Sequence, residues 1–205
     1  EEGHHGALFM LDDGLIDPLP DAAFALHIMP NAPRGVFTGR AGPLLASSDV
    51  LSITVKGAGG HASMPHDATD PIPVACEIVS AIQAMVTRTV SVFDPAVVTI
   101  AKIVAGTTNN IIPETAHMLG TIRTFDPTVR DQVIERMRRF AEHVAAANGA
   151  TATLEILPGS DPVTVNDPDL TRRMLPALEK AAGPDNLIEI PFVTGAEDFS
   201  YFALE

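Results

Sequence analysis

Apolar residues recur at two different spacings along the chain, and each spacing predicts a type of secondary structure. In three segments they return every three or four positions, which is typical of helices that are buried on one side. Each segment opens with Asp followed by Pro, a pair that caps a helix and presets its first backbone angle. The predicted helices run over 71–88, 127–148 and 168–182, and the last one ends at Gly183 and is expected to kink or break at Pro176.

Four other segments are rich in β-branched residues and read as strands. They cover residues 50–56, 96–105, 115–124 and 151–158. Combined with the first two helices, the order is strand, helix, strand, strand, helix, strand. This order is the split βαβ, ferredoxin-like arrangement, in which both helices lie on one face of an antiparallel sheet.

The two ends of the chain have a different character. Short apolar runs at 7–11 and 23–28 suit buried strands of an α/β sheet, and the C-terminal end adds a helix and a short strand over 189–193. Neither end could close a core alone. We therefore expect an α/β domain formed by 1–48 and 161–205, into which an α+β domain is inserted.

Composition limits the classes of partner. The 205 residues are 46% hydrophobic and carry a net charge of −13, which argues against nucleic acid because phosphate binding needs clustered Lys and Arg. No apolar run approaches the roughly eighteen residues of a membrane span. The single cysteine, Cys76, cannot form an internal disulfide and fits a reducing cytoplasm. Because the chain opens without Met, inside a candidate motif, we expect it to be part of a longer protein.

The candidate chemistry begins with Glu1, Glu2 and His27. Metal-dependent hydrolases need one carboxylate as a ligand and a second as a proton acceptor, so the adjacent acids and the histidine look like half of a metal site. His27 follows an apolar run, and open α/β sheets place their sites at strand ends. Solvated acids and a satisfied core histidine are the alternative.

A glycine-rich run, GAGGHASMPH, covers residues 57–66. It is not a dinucleotide loop, because the third glycine of that pattern falls on Ala62 and no helix follows directly. Such dense glycines let a backbone approach something closely, and they leave His61 at the tip. A functional loop and a plain strand-to-helix turn both remain open.

Two further polar residues stand out. Asn110 lies in the segment 106–114, which links two predicted strands and could simply be a hairpin connection. Arg123 shares a strand face with Leu119 and Thr121. It is either a charge at a sheet edge or an anchor that grips a substrate carboxylate with two parallel hydrogen bonds.

Taken in order, these stretches resemble a known family. The stretches are EEGHHGA, ALHIMP, GPLLASSD, KGAGGHASMPH, GTTNNIIPE, GTIRTFDP and GAEDFSYF. This order is similar to that of the aminoacylase-like metallopeptidases, and the nearest branch is that of the N-acyl-amino-acid amidohydrolases, which includes hippurate hydrolase and the plant auxin-conjugate hydrolases. The likeness covers essentially the whole chain.

The resemblance implies a zinc-peptidase-like catalytic α/β domain, here partial, over 1–48 and 161–205. It implies two divalent ions, zinc, manganese or cobalt, in the full-length parent. Glu1 matches the general base, and Glu2 and His27 match metal ligands.

The resemblance also implies that residues 49–160 form a ferredoxin-like lid through which two copies dimerise. His61 matches a lid histidine that stabilises the tetrahedral oxyanion in the partner's active site. Asn110 and Arg123 match substrate-binding positions of the lid. The role of the loop at 195–198 stays open.

Two elements of the family pattern are missing. A metal motif with cysteine and histidine is expected before the two glutamates, and a final histidine after the GAED loop; Cys76 lies in a lid helix and cannot replace them. We therefore expect this chain alone to bind metal poorly and to show little activity. The predicted function of the parent is cleavage of the amide bond of N-acyl-amino acids such as hippurate; the alternative is a non-catalytic dimerisation or binding module.

Overall fold

The computed structural model describes residues 6–30 and 32–204. The chain divides into two compact units: a flanking unit, residues 1–48 with 161–205, and a central unit, residues 49–160. In chain order the elements are α1 (Gly6–Asp12), β1 (Phe37–Gly39), β2 (Gly42–Leu45), β3 (Asp49–Lys56), β4 (Gly60–His61), α2 (Pro71–Thr89), β5 (Ala96–Ala105), β6 (Ile111–Ile112), β7 (Thr115–Thr124), α3 (Pro127–Ala147), β8 (Thr151–Ile156), β9 (Thr164–Asn166), α4 (Pro168–Ala182) and β10 (Leu187–Glu189). Short 3-10 helices cover Pro65–Asp67 and Asp198–Leu204.

The central unit is built on a four-stranded antiparallel sheet in the order β5-β7-β3-β8. Alternate residues of β3 and β7 are buried, and α2 and α3 pack against them. The core joins strand and helix side chains, among them Leu51, Ile53, Ile78, Met118 and Met137. The predicted ferredoxin-like arrangement is therefore confirmed.

The Asp-Pro pairs start the helices as expected. The Asp70 side chain accepts a hydrogen bond from the Ile72 N–H at 2.9 Å, and the Asp126 and Asp167 side chains cap α3 and α4 in the same manner. Helix α4 runs unbroken through Pro176, so the break considered there does not occur. A helix capped at its start and stopped by Gly183 can tolerate the loss of one internal N–H donor.

A buried ion pair ties the first strand of the central unit to its second helix. The Asp49 carboxylate, 0% exposed, accepts two hydrogen bonds from the Arg130 guanidinium, at 2.9 and 2.6 Å. The hydrogen bond with Asp49 raises the pKa of Arg130 above its ordinary value, against the opposing effect of burial. The guanidinium therefore stays charged, and it neutralises a carboxylate that has no access to water.

The flanking unit contains two small sheets. Strand β1 pairs with β10 in parallel, and β2 pairs with β9 antiparallel. The expected strand at 189–193 lies earlier, at Leu187–Glu189, while Val193 makes only an isolated bridge to Leu45. The pairing with β1 determines where this strand begins and ends.

The two strands predicted near the start of the chain are wrong. Residues 7–11 lie in α1, whose Ala, Leu and Met residues favour a helix, and Gly14 stops it with a φ of 80°. Residues 23–28 form neither helix nor strand, and Leu26 and Ile28 are largely exposed. A short apolar run does not by itself distinguish a strand from a helix or an unpaired segment.

No described helix combines the length and the apolar character needed to cross a lipid bilayer.

Candidate functional site

Glu1 and Glu2, the predicted base and metal ligand, lie outside the described residues. Their assigned roles stay predictions.

His27 does not lie at the end of a strand, because its segment pairs with no other. Its Nδ1 instead lies 3.0 Å from Oε2 of Glu197, 170 residues away in sequence. An ionised carboxylate can only accept a hydrogen bond, so the imidazole proton sits on Nδ1 and donates to Glu197. In the neutral ring the lone pair of the other nitrogen, Nε2, is then free, and this arrangement is typical of histidines that bind metal ions.

The donor atoms at this point fit a divalent cation. Imidazole nitrogen and carboxylate oxygen are ligands that zinc, manganese and cobalt all accept. Within residues 6–30 and 32–204, however, no three His, Cys, Asp or Glu side chains come together as a metal group. His27 is thus suited to be one of several ligands of a metal ion, with Glu197 hydrogen-bonded to its other ring nitrogen.

The residue after Glu197 makes a second long-range contact. Oδ2 of Asp198 accepts a hydrogen bond from the backbone N–H of Ala7 at 2.8 Å. This bond satisfies one of the free N–H groups in the first turn of α1. Sequence reasoning left the role of this loop open, and the only available signal was the adjacency of two acids after Gly195.

His61 lies on the short strand β4, opposite Ile111 of β6. Its Nδ1 is 3.2 Å from the backbone N of Ser63 and 2.8 Å from the Ser63 hydroxyl. A backbone N–H can only donate, so Nδ1 is the acceptor and the neutral ring carries its proton on Nε2. His61 is exposed, and it therefore presents an N–H donor to solvent or to a bound group.

The glycines before His61 allow the backbone to pack closely against residues 68–69. A Cβ on Gly57 would lie 2.0 Å from the carbonyl oxygen of Thr69, and a Cβ on Gly60 would lie 2.8 Å from the Cβ of Ala68. The close approach expected from these glycines is thus made to the chain's own backbone. It holds β4, and with it His61, in place.

Asn110 lies beside His61, whereas Arg123 does not. The carbonyl of Asn110 accepts a hydrogen bond from the Ala62 N–H at 3.0 Å, so Asn110 and His61 share one end of the central unit. Arg123 lies eight residues beyond Thr115 on β7, a distance of about 26 Å along the strand. Its Nη1 is buried and has no hydrogen-bond partner among the described residues.

Residues 48–149 match the peptidase dimerisation domain of the M20 peptidases. The chain belongs to the M20 peptidase family. Within the matched range, this M20 chain carries three of the predicted site residues, namely His61, Asn110 and Arg123.

The similarity to curated relatives extends beyond that domain to nearly the whole chain. The M20 chain is 38% identical to thermostable carboxypeptidase 2 of Saccharolobus solfataricus over 98% of its length and 50% of the relative's. It is 38% identical to the N-acetyldiaminopimelate deacetylase of Streptococcus sanguinis over 98% of its length and 53% of the relative's.

A solved structure is similar over the whole chain. It is that of a dinuclear metal binding peptidase from Bacillus subtilis, with a TM-score of 0.81 and 32% identity, over 100% of this M20 chain and 51% of that one. The chain spans about half the length of the relatives that it matches.

Proposed function

We propose that this chain is part of a metal-dependent amidohydrolase that cleaves the amide bond of N-acyl-amino acids. The observation that carries the proposal is the contact of His27 with Glu197, which leaves Nε2 of the imidazole free for a metal ion. The names of the relatives, deacetylases of N-acetyl-amino acids and carboxypeptidases, support the same bond type. The flanking unit would belong to the catalytic domain and the central unit would be the lid.

The proposed reaction adds water to the carbonyl carbon of the amide and breaks the carbon–nitrogen bond. Two divalent ions, when bound, would polarise the carbonyl and make water more acidic. Glu1 would accept a proton from that water and deliver it to the leaving nitrogen. The products are a carboxylic acid and a free amino acid, each of which then ionises.

The lid would contribute from both of its ends. The Nε2–H of His61 would donate to the oxyanion of the tetrahedral intermediate, next to Asn110, while Arg123 would hold the substrate carboxylate. Arg123 lies about 26 Å along β7 from Thr115, the end of that strand that follows β6, the partner strand of His61. That separation favours a site that takes Arg123 from one subunit and His61 with Asn110 from its partner.

A homodimer would supply this arrangement. Strand β5 lies at one edge of the described four-stranded sheet and exposes the apolar side chains of Val97, Ile103 and Val104. Such an edge has unpaired backbone groups that can join another strand. The match to a dimerisation domain supports the pairing of two copies.

The test uses the full-length protein, stripped of metal and then loaded with zinc, manganese or cobalt. Substrates would include N-benzoylglycine, N-acetylcysteine and N-acetyldiaminopimelate, and release of the free amino acid would be measured. We expect turnover with at least one metal and its loss in His27→Ala, whereas His143→Ala on the outside of α3 should behave as wild type. No amino acid release from any substrate with any metal would refute the proposal.

The second candidate is a non-catalytic module that only pairs two copies. It is supported by the buried core cluster, every member of which lies in the central unit, so that this unit does not depend on a catalytic site for its packing. A full-length protein that is dimeric by light scattering but neither binds metal nor hydrolyses any amide would favour this module.

A further inference from the structure

Glu197 and Asp198 are two adjacent acids that the proposed reaction does not use. Each contacts a segment far away in sequence, His27 at a separation of 170 residues and Ala7 at a separation of 191. All four residues belong to the flanking unit. Two neighbouring carboxylates therefore bind the two separate segments in which the sequence places its metal-site residues.

Glu197 orients the ring of His27. The His27 side chain is 65% exposed and the Glu197 side chain only 29%, so the carboxylate is the better-fixed partner. The neighbours of His27, Leu26 and Ile28, are themselves largely exposed and give the ring little packing support. The hydrogen bond to Glu197 consequently sets both the tautomer and the direction in which Nε2 points.

Asp198 fixes the start of α1. Its hydrogen bond reaches the N–H of Ala7, a buried residue in the first turn of that helix. Asp198 is the first residue of the 3-10 helix Asp198–Leu204, which packs against α1. Within this helix the rings of Phe199 and Phe202 lie 5.1 Å apart. In sequence, Glu2 precedes Ala7 by five residues.

We propose that Glu197 and Asp198 are positioning residues for the metal site. One carboxylate aligns the His27 imidazole and the other anchors α1, the helix that follows Glu1 and Glu2 in sequence, so that a single loop holds two segments that are distant in sequence. The inference rests on the proposed function, because it concerns the same metal site.

The experiment measures metal binding rather than turnover. Metal-stripped full-length protein would be titrated with zinc by calorimetry and with cobalt by visible absorption, for wild type, Glu197→Ala, Glu197→Gln and the control Glu189→Gln. Glu189 is exposed at the end of β10. Loss of an outer partner of a histidine ligand typically weakens metal affinity about 10–100-fold. We expect that loss in Glu197→Ala, a smaller one in Glu197→Gln, which keeps an acceptor oxygen, and none in the control.

The role of Asp198 is tested by a separate measurement, the hydrogen exchange of α1. In metal-free protein, hydrogen exchange of the α1 amides should be faster in Asp198→Ala and near wild type in Asp198→Asn, whose amide oxygen can still cap the helix. Zinc affinity should follow the same order. Unchanged exchange in a folded Asp198→Ala variant would overturn the role of Asp198.

Three other outcomes are distinguishable. An affinity within about threefold of wild type in a folded Glu197→Ala variant would overturn the positioning role. One metal ion fewer at saturation would overturn it too, since it would make Glu197 a direct ligand. If wild-type protein binds no metal, the proposed function itself fails, and this result is seen before any variant is compared.

Discussion

Removal of the Arg130 side chain tests how much the buried ion pair contributes to the central unit. In Arg130→Met, the Asp49 carboxylate would lose both of its charge-assisted hydrogen bonds while remaining 0% exposed. Removing one partner of such a buried pair typically costs about 3–5 kcal/mol. That cost is a large part of the stability of an ordinary domain, which is about 5–15 kcal/mol.

The two partners are not equivalent, so the two single variants should differ. Asp49→Asn leaves behind a guanidinium whose side chain is 28% exposed and which still donates to Asp131 at 3.0 Å. We expect this variant to lose only about 1–3 kcal/mol. The double variant Asp49→Asn/Arg130→Met leaves no buried charge, and it should be more stable than Arg130→Met alone.

The assay must report on the central unit. The chain has no Trp and one Tyr, Tyr201, which lies in the flanking unit, so intrinsic fluorescence is unsuitable. Urea unfolding followed by hydrogen exchange and mass spectrometry, on peptides from β3 and α3, would report the free energy of unfolding directly. The raised pKa of Arg130 means that its contribution is present below its unfolded pKa and lost only as the pH rises through the higher folded value. Neutral pH therefore measures the pair at full strength.

Asp131→Asn is the matched control. It removes the other carboxylate of Arg130, but that side chain is 74% exposed, and surface pairs contribute about 0–1 kcal/mol. If Asp131→Asn and Arg130→Met lose the same free energy of unfolding, or if Asp49→Asn is the more damaging variant, the assignment of the cost to a stranded buried carboxylate is wrong.

Three further predictions concern the central unit. Gly57→Ala would place a Cβ 2.0 Å from a backbone carbonyl and should cost about 1–3 kcal/mol in urea unfolding, whereas Gly39→Ala, with nothing within 4 Å, should change little. Arg123→Met should keep or raise stability, because the buried Nη1 has no partner to lose, and should raise the KM of the full-length enzyme; an unchanged KM would exclude a substrate contact. Val104→Lys should shift light-scattering mass towards the monomer and the control Val165→Lys should not; a dimer retained in both would exclude the β5 edge as the interface.

The central unit could be predicted because its signals are local. Asp70 and Asp126 cap the helices that they precede, and the alternation along β3 and β7 is visible without knowing their neighbours. Strand order then follows from the number and sequence of elements.

The flanking unit could not be predicted in the same manner. Whether 23–28 forms a strand depends on the presence of a pairing strand, and in the structure that segment has none. Residues 7–11 carried a usable helix signal in the stop at Gly14, which the strand interpretation overlooked.

The long-range contacts of the candidate site could not be predicted from the sequence either. His27 and His61 were predicted as site residues from residue type and sequence context, and that assignment stays a prediction, although both have defined hydrogen-bond partners in the structure. The contacts of Glu197 and Asp198 span 170 and 191 residues, and no periodicity or spacing in one sequence links positions so far apart. Sequence indicated which side chains could take part in the chemistry, but not which other residues hold them.

The hydrogen-bond partners of each histidine decide which of its ring nitrogens carries the proton. At His27 the carboxylate of Glu197 accepts a hydrogen bond from the Nδ1–H, which leaves a lone pair on Nε2 of the neutral ring, while at His61 the Ser63 N–H donates to the Nδ1 lone pair and leaves Nε2 as an N–H donor. A glutamine can replace a donor but is a poor substitute for an imidazole ligand. In the full-length enzyme, His61→Ala should lower kcat about 10²–10³-fold and His61→Gln should restore part of it.

His27→Gln, by contrast, should not restore the zinc affinity lost in His27→Ala, as measured by calorimetry. If glutamine rescues neither position, or rescues zinc binding at His27, the opposite hydrogen-bonding roles deduced for the two rings are incorrect. If it rescues kcat at His61 alone, two identical side chains differ in function because one faces a carboxylate and the other an amide N–H.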